Sequence, residues 1–139
     1  MLLQGKRIFV VEDDPSNLAI ITTILRRHGA SVPFETWGSG TVAKLLKCLP
    51  VDLILLDLAL PRGVSGYDVY EEIRSQPELQ DIPTVVVTAA DPSIEMPKAR
   101  EKGLKGFISK PLSYATFGTT IASVLDGEEV WGDDYEMPA

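Results

Sequence analysis

Five side chains capable of chemistry stand where apolar runs end. Glu12 and Asp13 follow Ile8–Val11, Asp57 follows Leu53–Leu56, Thr88 follows the run 82–87, and Lys110 follows Gly106–Ser109. Carboxylates forced together repel unless a proton or a cation relieves them, and an all-oxygen donor set favours a hard ion such as magnesium. Magnesium keeps several waters and takes one or two protein carboxylates together with phosphate oxygens, so the set suits a phosphoryl group. Lys110 can neutralise a phosphoryl oxygen as a point charge, and Thr88 can donate a hydroxyl hydrogen bond. An aspartate can also attack phosphorus itself to give an aspartyl phosphate, with cationic groups stabilising the transferring charge.

These residues form one site only if the chain brings their strand ends together. Leu53-Ile54-Leu55-Leu56 shows no polar alternation, as expected of a strand buried on both faces of a parallel sheet. Ile8–Val11 reads the same way. Pro15 and Ser16 start a helix in which Leu18, Ile21 and Leu25 recur at helical spacing until Gly29 stops it. Residues 31–36 read as a weak strand containing Pro33, which belongs at a sheet edge. Val42, Leu45, Leu46 and Leu49 mark a second helix closed by Pro50, and Val69, Tyr70 and Ile73 mark a third after the turn-rich loop 58–66. Pro92 and Pro97 interrupt the fourth, so a short helix near 96–102 is expected, with Pro97 in its first turn and Gly103 as its stop. Phe117, Ile121, Val124 and Leu125 face inward on the last helix. Residues 1–125 thus form one domain, and 126–139 form an acidic tail, extended or partly disordered. Five strands alternating with five helices imply an α/β fold with right-handed crossovers and a parallel sheet. Ligands of such sheets bind outside the carboxyl ends of the strands, where all five residues stand.

Composition narrows the function. The 139 residues are 45% hydrophobic, enough for one ordinary core, and no apolar run approaches the roughly 20 residues of a membrane span. With 13 basic against 20 acidic residues the net charge is -7, which disfavours direct binding to nucleic acid or to an anionic membrane. The lone Cys48 supports neither a disulfide nor a zinc cluster and fits a reducing cytoplasm.

Taken in order, Val10-Val11-Glu12-Asp13-Asp14, Asp57 with Pro61, Thr88-Ala89 and Lys110-Pro111 resemble the receiver domain of bacterial two-component response regulators, over residues 6–125. The resemblance implies a flavodoxin-like sheet of order 2-1-3-4-5. It implies that Asp57 is the phosphoacceptor, and that Glu12, Asp13, Asp57 and the backbone carbonyl of Ala59 hold Mg2+. Thr88 and Lys110 become the phosphoryl contacts, Phe107 the aromatic switch position, and Pro111 a cis-proline candidate. The implied partners are a sensor histidine kinase or phosphotransfer protein and a downstream protein target, with a homodimer left open. Two departures fall where receivers meet their partners. The loop from Pro61 to Gly66 is one residue longer than the commonest pattern, and the Pro92/Pro97 pair is unusual.

Bland readings stand beside the sharp ones. Asp57 taken alone could cap the next turn, and Asp14 fits a helix N-cap better than a metal ligand. His28 sits where a helix C-terminal dipole welcomes it, and Trp37 and Trp131 read as packing residues, with Trp131 able to pin the tail. The function expected is that of a stand-alone phosphoacceptor switch. The alternatives are a receiver-fold interaction module independent of phosphorylation, motivated by the altered fourth helix, and a weaker magnesium-dependent phosphohydrolase.

Overall fold

A computed structural model of the chain describes residues 1–131. Five parallel strands lie in the order β2-β1-β3-β4-β5. They are β1 (Ile8–Val11), β2 (Phe34–Glu35), β3 (Leu53–Leu56), β4 (Thr84–Thr88) and β5 (Gly106–Ser109), alternating with α1 (Pro15–Arg27), α2 (Thr41–Cys48), α3 (Gly66–Arg74), α4 (Pro92–Glu101) and α5 (Phe117–Leu125). The α/β class, strand order and helix count are those expected.

The apolar runs are explained by two-sided burial. Successive residues of a strand point to opposite faces. Phe9, Val11, Ile54, Leu56, Val86 and Phe107 join one core with α2, α3 and α4, whereas Ile8, Val10, Leu53, Leu55, Val85 and Val87 join the other with α1 and α5. Each fully buried side chain of β3 contributes about 2 kcal/mol of burial free energy, so the strand tips stand on a fully buried scaffold. Pro33 precedes β2 at the sheet edge, where its carbonyl accepts from the Val10 amide at 3.0 Å and its missing N–H costs nothing.

The fourth helix corrects the expectation. It starts at Pro92, not near residue 96, and Pro97 lies in its interior. Asp91 caps it, its Oδ1 accepting from the Ser93 amide at 2.9 Å, and Pro92 takes the first turn, where its lost donor has no partner in any case. Met96 and Ala99 are buried on its inner face, and burial there outweighs the one intrahelical hydrogen bond that Pro97 removes. Trp37 also departs from its packing assignment. It is 54% exposed, with the Arg62 guanidinium 5.3 Å from its ring centre. The loop from Pro61 to Gly66 turns through left-handed backbone at Arg62 and Gly63, with φ of 59° and 71°. Both Leu49-Pro50 and Lys110-Pro111 are cis peptides.

Part of the tail is well placed. Trp131 joins the core beside Met96 and Phe107, and residues 132–139 lie outside the described residues.

Candidate functional site

Sheet register sets the site. Val11 is paired with Leu56, so the next residues, Glu12 and Asp57, emerge side by side, and the Asp57 amide donates to the Val11 carbonyl at 3.1 Å. Thr88 is paired with Ser109, which puts Lys110 one step beyond the same edge, its amide donating to the Thr88 carbonyl at 2.9 Å. Carboxylate oxygens of Glu12, Asp13 and Asp57 lie within 4.8 Å of one another.

Lys110 holds this cluster together. Its Nζ donates to Asp57 Oδ2 at 2.8 Å and lies 2.5 Å from Glu12 Oε1. The three side chains are only 9%, 8% and 2% exposed, so little water screens them. Burial works to lower the Lys110 pKa, but hydrogen bonding and attraction to Asp57 and Glu12 outweigh it and the ammonium is held above its ordinary value. Burial pushes Glu12 up to about 7; the Asp57 charge adds to the rise, and Lys110 opposes it. The buried Glu12 Oε1 has its ion pair with Lys110 but no aligned hydrogen-bond donor among the described residues. A cluster of acidic oxygens from Glu12, Asp13 and Asp57 is a hard, all-oxygen donor set and fits a hard divalent cation.

The remaining expected residues flank this centre. Ala59 is on the loop after β3, and its amide donates to Asp57 Oδ1 at 3.3 Å. With Lys110 on Oδ2, both oxygens of Asp57 are thereby oriented. Thr88 is 1% exposed, and its Oγ1 accepts from the Ala90 amide at 3.3 Å, so the hydroxyl is tied to its own loop. Phe107 is fully buried in the core shared by β3, β4 and α4, away from the carboxylates. Asp13 is exposed, whereas Asp14 is the α1 N-cap, its Oδ1 accepting from the Ser16 amide at 2.8 Å.

Two supporting groups were not anticipated. Glu35 is buried at the edge strand and accepts from the Trp37 amide, the Gly38 amide at 2.7 Å and the Thr41 hydroxyl at 2.8 Å. Burial alone would raise its pKa, but these donors outweigh it and hold the carboxyl below its ordinary value. A charged residue just before the turn-rich Trp37-Gly38-Ser39-Gly40 was the available signal, since Gly40 offers α2 no capping side chain. Tyr67 is the second. Its hydroxyl donates to Glu95 Oε1 at 3.1 Å and ties α3 to α4, and burial, followed by the Glu95 charge, raises its pKa.

The geometry of strand-end carboxylates bridged by a lysine is matched by what the chain resembles. The model of the response regulator receiver domain matches residues 8–122. This chain belongs to that family. The receiver is 29% identical over 121 residues to PilH of Pseudomonas aeruginosa, covering 87% of this chain and 98% of PilH. It is 32% identical over 120 residues to the polar-differentiation response regulator DivK of Brucella ovis, covering 86% and 96%. Among solved structures, the receiver domain of the sensor histidine kinase PA1611 from Pseudomonas aeruginosa, which has a magnesium ion in its active-site cleft, superposes with a TM-score of 0.76 at 28% identity. That match covers 89% of this receiver and 99% of the other. Vibrio cholerae CheY4 shares the fold with a TM-score of 0.78 at 22% identity, over 86% of this chain and 98% of its own. No helix among the described residues is long and apolar enough to cross a membrane.

Proposed function

We propose that this receiver is a phosphoacceptor switch that takes a phosphoryl group from a sensor histidine kinase, or from a phosphotransfer protein, onto Asp57. The observation that carries the reading is the Lys110 ammonium held 2.8 Å from Asp57 Oδ2 beside the buried Glu12, all three at the carboxyl ends of parallel strands. A carboxylate oxygen of Asp57 attacks phosphorus. The phosphorus–nitrogen bond of the donor phosphohistidine breaks, its electron pair returns to the imidazole nitrogen, and an acyl phosphate forms on Asp57. Orientation is supplied in advance, because Lys110 and the Ala59 amide each hold one Asp57 oxygen.

Glu12, Asp13 and Asp57, with the Ala59 carbonyl, would hold Mg2+, a reading supported by the acidic cluster and by the ion in the related kinase receiver. The ion would supply charge neutralisation for the transferring phosphoryl group. Lys110 supplies a second positive charge to that group and stays protonated through the neutral range because its pKa is raised. The Thr88 hydroxyl accepts from the Ala90 amide and keeps its own proton to donate to a phosphoryl oxygen, a contact that would bias the loop after β4 and Phe107 toward one of two arrangements. The output is altered protein binding, and the chain's own chemistry stops at phosphoryl uptake and loss.

The alternative of a phosphorylation-independent module rests on the altered fourth helix, which runs from Pro92 to Glu101 with Pro97 inside it. Incubation with acetyl phosphate and magnesium, read by intact-protein mass, tests the reading. One added phosphoryl group is expected, and a chelator should abolish it; addition that ignores the chelator would count against a metal-assisted site.

A further inference from the structure

Glu35 is a buried carboxylate that phosphoryl uptake does not use. It ends β2, and its backbone carbonyl accepts from the Glu12 amide at 3.2 Å. Its side chain serves the turn that follows. The carboxylate accepts from the Trp37 amide, from the Gly38 amide at 2.7 Å and from the Thr41 hydroxyl at 2.8 Å, so one group gathers both ends of the turn 37–40. A buried charge persists only where such donors replace water. That turn lies against the loop after β3. Gly38, with φ of 81°, makes the close approach: a Cβ there would lie 2.9 Å from Leu60 Cδ1 and 3.0 Å from Val64 Cγ1. Beside it the Trp37 ring holds the Arg62 guanidinium at 5.3 Å.

The loop clasped in this way is a small hairpin. Ala59 and Ser65 form an antiparallel bridge, the Leu60 amide donates to the Val64 carbonyl at 3.1 Å, and Pro61–Gly63 make the tip. Leu60 and Val64, which Gly38 touches, are thus the rung next to Ala59, whose amide holds Asp57 Oδ1 at 3.3 Å. We propose that Glu35 is a positioning residue for the acceptor site. It fixes the turn 37–40, the turn braces the hairpin 59–65, and the hairpin sets Ala59 against Asp57. The consequence for chemistry rests on the reading of Asp57 as acceptor and Ala59 as a magnesium ligand; the brace itself does not. The exposed Trp37 and the loop from Pro61 to Gly66 become the two sides of one clasp. The carbonyl contact from Glu35 to the Glu12 amide survives any side-chain change at position 35. The effect of such a change therefore reaches the site from the Ala59 side and leaves the β1 side in place.

The test uses the full chain as wild type, Glu35→Gln, Val64→Ala and the double variant, with magnesium titration calorimetry and amide hydrogen exchange by NMR. Glu35→Gln turns one acceptor oxygen into an NH2 group that faces the donors of the turn. Val64→Ala removes the methyl that Gly38 touches and none of the hydrogen bonds of Glu35. The magnesium Kd should rise about tenfold in Glu35→Gln, the low end for groups that orient metal ligands, and should rise in Val64→Ala as well. The double variant should bind no more weakly than Glu35→Gln, because both changes act through one contact. Without metal, the Leu60 amide should exchange faster in both single variants, while the Glu12 amide and those of β4 keep their wild-type rates. A merely structural role would raise exchange throughout and leave the affinity of the folded protein unchanged. Circular dichroism reports which variants are folded, and Val64→Ala carries the test if Glu35→Gln is not. Unchanged magnesium affinity in a folded single variant, or additive losses in the double variant, would overturn the proposal. Acetyl phosphate with magnesium separates the two claims. No phosphate on wild-type Asp57 alongside weakened metal binding in the variants contradicts the acceptor reading alone; phosphate on wild type with unchanged affinity in the variants contradicts the positioning role alone.

Discussion

At Lys110 a single ammonium is paired with two buried carboxylates, and that arrangement has a cost that appears when the lysine is removed. Lys110→Ala leaves Glu12 and Asp57 facing each other with both side chains below a tenth exposed. Removing one partner of a buried ion pair typically costs about 3 kcal/mol, so the variant is expected to unfold at clearly lower urea than wild type. Urea titration followed by circular dichroism checks this, and an unchanged midpoint would show that the cluster is solvated. The identities of Asp57, Glu12 and Lys110 as a group were legible in the sequence because each ends an apolar run, and parallel strands leave only one edge on which such ends can meet. The hydrogen bond from Ala90 to Thr88 Oγ1 was not legible, since it depends on the loop path after β4 and not on residue type.

Elements place those residues, and two of them depend on features that periodicity does not carry. Glu35 organises the turn from β2 into α2 as a distant substitute for an N-cap. Its folded-state pKa lies below its ordinary 4.5, so its contribution is fully present above pH 4.5 and is lost as pH falls through the lower folded value. Glu35→Gln is therefore expected to destabilise the protein at neutral pH, with the difference from wild type closing in acid. Thermal melts at several pH values check the sign. In α4, Pro97 withholds an amide from the Ser93 carbonyl. Pro97→Ala should gain about 2 kcal/mol, the roughly 3 kcal/mol of an interior proline less up to about 1 for greater freedom of the unfolded chain. A raised melting temperature checks it. The prolines pointed to a shorter helix because local propensity counts the lost hydrogen bond but not the burial of Met96 and Ala99 or the Tyr67 tie to Glu95, all of which are tertiary. The strands were read almost to the residue for the opposite reason. Two-sided burial leaves its mark on every position, whereas the isolated parallel pairing of Val130 with Gly106 involves one residue pair and leaves almost none.

For the whole molecule, a divalent cation held by Glu12, Asp13 and Asp57 would bind only the folded chain, because β1 and β3 must be paired to bring the carboxylates together. Magnesium at about a hundred times its dissociation constant should then stabilise the fold by about 2.7 kcal/mol. For a domain of this size that corresponds to a rise of roughly 5–10 °C in Tm. Asp13→Asn should remove most of the rise while leaving the metal-free Tm close to wild type, since Asp13 is exposed and outside the Lys110 ion pairs. Differential scanning fluorimetry with and without magnesium reads both. The most direct test of the central claim, that Asp57 is the acceptor, is peptide-resolved mass spectrometry of wild type and Asp57→Asn after incubation with magnesium and acetyl phosphate. One phosphoryl group on the wild-type peptide containing Asp57, and none anywhere on the variant, is the predicted result; a phosphoryl group that persists on Asp57→Asn would contradict it.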